Sequence, residues 1–210
     1  YGLMEGDPDG NAALGVHLFL AAILTALGPL QLIPVIRAKA PVFHRWNGRF
    51  YLLSGVIAAA AGAYLTWSRG ALGGIINQVS ITGDAVAILV CAAMAVRFAI
   101  ARDFERHRRW ATRFFLVVSG VWFFRIMLMG WIVANGAPVG IGDALNGPVA
   151  YAIGFAQYLV PLAVYEAYWR ARDLGGAGAH LGAAVMMLAA TAATGFGVFG
   201  AVVGIWLPRL

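Results

Sequence analysis

The sequence predicts an all-α integral membrane protein, a bundle of six transmembrane helices built from three helical hairpins in a single domain spanning residues 1–210. Three observations predict it. The 210 residues are 61% hydrophobic and only 11% charged, against roughly 25% charged in ordinary soluble domains. Uncharged stretches recur at the length of about 20 residues that a helix needs to cross the hydrocarbon core. The basic residues, finally, collect in alternate connections between those stretches.

Taken in order, residues 10–36 contain no Asp, Glu, Lys or Arg and give a first helix at about 12–36. The second covers about 50–68. The third, about 80–101, has Asp84 and Arg97 with 12 uncharged residues between them, and fits a span whose charged side chains reach toward the interfaces. The fourth, about 114–134, is interrupted only by Arg125. The fifth and sixth cover about 146–169 and 181–207. Gly28-Pro29 and Pro34 are expected to bend the inner end of the first helix beside Gln31.

The charges orient this bundle. Arg37, Lys39, Arg45 and Arg49 lie between the first two spans, six arginines from Arg97 to Arg113 between the third and fourth, and Arg170 and Arg172 between the last two. The opposite side carries Arg69 and Arg209, with Glu5, Asp7 and Asp9 before the first span. Twelve cations against two make a positive-inside asymmetry, placing both termini outside the cytoplasm of a bacterial inner membrane. The net charge of +6 is thereby accounted for by topology and anionic lipid headgroups, not by nucleic acid. The acidic first residues lack the basic leader of a secretory signal. A single cysteine, Cys91, excludes an intramolecular disulfide and any CxxC metal or redox motif.

The chain also repeats itself. His44-Arg45-Trp46-Asn47-Gly48-Arg49-Phe50 is echoed by Arg108-Arg109-Trp110-Ala111-Thr112-Arg113-Phe114, with His107 just before it. A Ser-Gly pair follows each copy, and Trp169-Arg170 and His180 repeat fragments of the pattern in the third hairpin. The unit is a helical hairpin of unchanged orientation, a parallel repeat. Interfacial Trp and Arg anchor helices in headgroups, which accounts for RWxxRF. Anchoring does not require a histidine in both copies.

On the elements Gly28-Pro29-Leu30-Gln31, His44-Arg45-Trp46-x-Gly48-Arg49 and His107-Arg108-Arg109-Trp110, residues 15–170 resemble an uncharacterised family of bacterial multi-pass membrane proteins. The resemblance implies a membrane topology and imports no activity. More loosely, histidines at hairpin ends are similar in architecture to two-haem membrane cytochromes and ferric reductases.

Two constellations are candidates for function. His44 and His107 fall at the same interface on the second and fourth spans, each just before its helix. They are candidate axial ligands or hydrogen-bond partners for a b-type haem or a quinone, with Arg45, Arg49, Arg109 and Arg113 to hold acidic substituents. Arg125 lies deep in the fourth span, where an ionised side chain marks a partner or a site; Gln157, Tyr158 and Tyr64 are its expected polar layer. His17 and Asp84 come at similar depth on the other side, as a hydrogen-bonded pair or a protonatable site. No GxxxxGK[ST], HExxH or GxSxG motif is present, so the reading leans away from an enzyme, and no metal site is expected. The leading functional expectation is an accessory subunit that acts by association with other membrane-protein subunits. The alternative is an electron-transfer protein holding haem or quinone at His44 and His107. The third is a small transporter centred on Arg125.

Overall fold

The computed structural model describes residues 2–207, which are helical with no strand among them. They cluster into two compact units, residues 1–118 and 119–210, each built from consecutive helices.

The first unit begins with α1 (Pro8–Leu32), capped by Asp7, whose carboxylate accepts from the Gly10 amide at 2.9 Å. Pro8 sits in the first turn, where its missing N–H costs nothing. Pro29 is absorbed inside α1, whereas Pro34 ends it: Ile33 is forced extended, as a residue before proline prefers. A short α2 (Pro34–Lys39) and Ala40 lead to α3 (Pro41–Arg69), α4 (Gly74–Ile100) and α5 (Phe104–Val118). α1 packs on α3, α3 on α4, and α4 on α5.

The core of this unit is made of small and polar side chains as much as of large ones. Ser54, Cys91, Ala95 and Val117 are buried, while Phe19, Leu53 and Val90 are exposed. Water would punish that arrangement; lipid does not, because tight helix contact in a bilayer is gained by small residues inside. Gly55 shows the need directly, since a Cβ there would stand 2.5 Å from Cζ of Phe114.

The second unit contains α6 (Gly120–Asn135), α7 (Pro148–Leu174) and α8 (Ala177–Ala201), which ends in a π-helical turn over Val202–Trp206. All three helices pack on one another. Gly197 lets α8 close on α6, because a Cβ there would meet the carbonyl oxygen of Ile126 at 2.5 Å. Between α6 and α7 the chain folds into a compact loop. The Gly147 amide donates to Ile141 O at 2.7 Å, and the Trp131 indole donates to Val139 O at 2.8 Å.

Five helices are long and apolar enough to cross a membrane, or six if α5 and α6 are counted as one broken span. The chain is therefore an all-α membrane bundle. The elements differ from the sequence expectation at their ends. The first span starts earlier and stops at Leu32, not at 36, because Pro34 opens a separate helix. The second begins at Pro41, since Arg45 and Arg49 continue the helix that the charges were read as ending. The fourth, expected as one helix over 114–134, is interrupted at Ser119. A Ser-Gly pair is a recognised place for such a break, although Ser54-Gly55 passes unbroken through α3.

Candidate functional site

Both site histidines lie inside their helices, not before them as the sequence suggested. His44 is the fourth residue of α3 and His107 the fourth of α5. In each, the amide closes the first turn onto the carbonyl of the residue before the helix, Ala40 at 3.0 Å and Asp103 at 2.9 Å. His180 does the same in α8, bonding to Gly176 O at 3.2 Å. The hairpin repeat thus extends to a histidine at the same step of three helix starts.

His44 and His107 belong to the first unit and are brought within electrostatic reach of one another, with Arg37 also acting on His44. Nδ1 of His107 lies 2.9 Å from Ala95 O on α4. A carbonyl only accepts, so Nδ1 donates to it and Nε2 is the ring nitrogen outside this bond. Nδ1 of His44 is buried and has no hydrogen-bond partner among the described residues. Beside it, the Gln31 amide donates to His44 O at 3.4 Å, and Asn47 donates to Leu27 O at 3.4 Å.

The arginines around these histidines are mostly committed to their own helices. Arg49 stacks over Trp46 at 5.0 Å, and Arg113 over Trp110 at 4.6 Å. Arg109 pairs with Glu105 at 2.9 Å one turn away. Arg45 is exposed. The third hairpin repeats the device, with Arg172 over Trp169 at 4.8 Å. The Trp-x-x-Arg spacing inside RWxxRF is the sequence signal for these pairs at 46 and 110, and its third occurrence, Trp169 to Arg172, escaped a reading that noted only Trp169-Arg170.

The second candidate layer is not assembled around Arg125. Within the second unit, Gln157 is buried, but its amide donates to Gly154 O at 2.8 Å on its own helix. Tyr158 is buried, whereas Arg125 is exposed and has no hydrogen bond or ion pair among the described residues. Tyr64, in the first unit, is exposed on α3. His17 and Asp84 do not bond to each other either. His17 Nδ1 lies 2.9 Å from Ala58 O, and Oδ1 of Asp84 is buried with no hydrogen-bond partner among the described residues.

The sequence reading missed a clamp at the end of the first unit opposite the arginine-rich connections. The Arg69 guanidinium binds Asp7 Oδ2 at 2.8 Å, Asn11 Oδ1 at 2.7 Å and Gly2 O at 3.1 Å. Asn11 in turn exchanges two hydrogen bonds with the Met4 backbone. A Cβ at Gly10 would stand 2.6 Å from Arg69 Nε and so displace the clamped side chains. The Gly10 amide first, and then Arg69, hold the Asp7 carboxyl below its ordinary value. No group of three or more His, Cys, Asp or Glu able to hold a metal ion occurs among the described residues.

A family model described as a predicted membrane protein, DUF2306, matches residues 14–156. The chain belongs to this family. No curated protein and no solved structure matches it. The matched region of this DUF2306 member runs from within α1 into α7, and so contains His17, His44, Asp84, His107 and Arg125. The Trp169–Arg172 pair and α8 lie beyond it.

Proposed function

We propose that this protein acts in the membrane by association, as an accessory subunit of a larger complex, with α6 around Arg125 as a contact surface. The observation that carries the reading is the position of Arg125. It is exposed, without an intrachain partner among the described residues, and about 15 Å along the helix from Asn135. An arginine held at hydrocarbon depth costs roughly 2.5 kcal/mol or more unless something answers its charge. A carboxylate on a neighbouring membrane chain does so with the correct sign and geometry. α8 supports close approach in the same unit, since Gly182 and Gly195 have nothing within 4 Å of where a Cβ would be. The open side of Gly195 suits a contact with another chain. The same exposed position favours contact over a transport pathway centred on Arg125.

The arginine-rich connections fit a cytoplasmic side rich in anionic headgroups, with both termini across a bacterial inner membrane. Purification in mild detergent tests the main reading. Wild type and Arg125→Lys retain a partner chain at fixed stoichiometry, and Arg125→Leu loses it. A wild-type protein that is monomeric and unaccompanied in mild detergent overturns it.

A second reading is favoured by the buried, unpartnered Nδ1 of His44, in the same unit as His107. An N–H on the unsatisfied ring nitrogen of His44 suits a carbonyl of a quinone, and an unprotonated ring nitrogen on either histidine suits an axial position on a b-type haem. The stacked and paired arginines leave Arg45 as the best placed to meet an acidic substituent. An absorption spectrum of the purified protein separates the ligands: a Soret band lost in His107→Leu indicates haem, and extractable quinone without such a band indicates quinone. Absence of both removes this reading.

A further inference from the structure

Asp84 and Ser80 stand one turn apart on α4, and neither is used by the association surface or by the paired histidines. Ser80 is 1% exposed, and its hydroxyl has no hydrogen-bond partner among the described residues. Oδ1 of Asp84 is likewise buried and unpartnered. Asn77 occupies the same face one turn earlier and donates to Leu72 O at 2.7 Å. Polar side chains at 77, 80 and 84 therefore step down one face of α4. They reach from near its Gly74 start to about 15 Å along the helix at Asp84.

Among the described residues, no counter-charge reaches Asp84. On α3, Arg69 is held by Asp7, Tyr64 is exposed, and the remaining titratable groups lie from His44 to Tyr51 in the opposite half of the helix. On α5, the last charged residue before Val118 is Arg113, stacked over Trp110. His17 on α1 is bonded to Ala58 O. No hydrogen bond or ion pair joins Asp84 to any described residue. A carboxylate so placed needs either a proton or a metal cation. One carboxylate and one hydroxyl, outside any group of three His, Cys, Asp or Glu among the described residues, are too few for the six or so ligands a hard cation takes. A proton needs only one.

We propose that Asp84 is a proton-binding site within the membrane, with Ser80 as the first hydrogen-bonding step between it and the Gly74 end of α4. The reaction is a reversible ionisation. The O–H bond of the Asp84 carboxylic acid breaks, its electron pair stays on the carboxylate, and the proton passes to water at the end of α4 opposite the arginine-rich connections. Neither oxidant nor metal is required.

Dicyclohexylcarbodiimide, an apolar reagent that attacks protonated carboxyl groups, tests the site on the full chain in membranes. Near neutral pH the adduct forms on Asp84 and not on the loop residues Asp103 or Asp143. Labelling falls about tenfold per pH unit once the group ionises. Ser80→Ala shifts the midpoint of that fall, and Asp84→Asn abolishes the adduct. Difference infrared spectroscopy removes dependence on reagent access: wild type minus Asp84→Asn shows the carbonyl band of a protonated carboxylic acid. Absence of that band near neutral pH overturns the proposal, as does labelling that sodium ions suppress at constant pH.

Discussion

Tyr51 on α3 and Phe114 on α5 meet edge to face, with ring centroids 5.6 Å apart and planes at 89°. Both are buried, and each fills space that a glycine leaves open: Gly28 lies against the Tyr51 ring and Gly55 against Phe114. The contact ties together helices that are distant in sequence. Within a bilayer, where apolar burial gives little driving force, such shape matching is what selects one packing.

Truncation of this contact is expected to be costly. Phe114→Ala lowers stability by about 2–3 kcal/mol, the cavity term without the water-to-core transfer term, and Gly55→Ala, which forces a methyl into the ring, by about 1–3 kcal/mol. Reversible unfolding in mixed micelles measures both. Losses under about 0.5 kcal/mol for both would show that the contact does not hold the first unit together.

The Arg69 clamp gives a pH dependence with a defined sign. Because the folded state holds the Asp7 carboxyl below its ordinary value, the stabilisation is complete above about pH 4 and disappears as pH falls through the lowered value. Hydrogen exchange at the Met4 and Gly10 amides, corrected for intrinsic rates, is expected to accelerate below about pH 4 and to be fast at all pH values in Arg69→Ala. Protection that persists in Arg69→Ala contradicts the clamp.

The three Trp–Arg pairs separate anchoring from packing. Trp46 is exposed and Trp169 is buried. Trp46→Ala should therefore cost about 0.5–1 kcal/mol, the value of an exposed cation–π pair, while Trp169→Ala should cost about 3–5 kcal/mol. Equal effects in the same micelle titration would refute the distinction.

Much of this fold was legible in uncharged stretches of bilayer length, and what was not legible has identifiable causes. Pro34 ends α1 before the hydropathy does, because proline acts on the backbone and not on solvation. Arg45 and Arg49 were read as loop because charge was taken for a helix end, although arginine is a good helix former. In α6 the apolar residues run all round, so the sequence carried the depth of Arg125 but no sign of which way it faces. The Arg69 clamp joins residues 58 and 62 positions apart, and its only sequence trace is an isolated arginine opposite an acidic N-terminal stretch.

Crosslinking from beside an intact Arg125 in intact membranes tests the central claim most directly. A short photoreactive group placed on Val121→Cys, an exposed position one turn from Arg125 on α6, is expected to capture one membrane chain at a segment bearing an Asp or Glu at matching depth, and to lose that adduct when Arg125→Leu is added. Capture of lipid alone, with no protein adduct, would contradict the account.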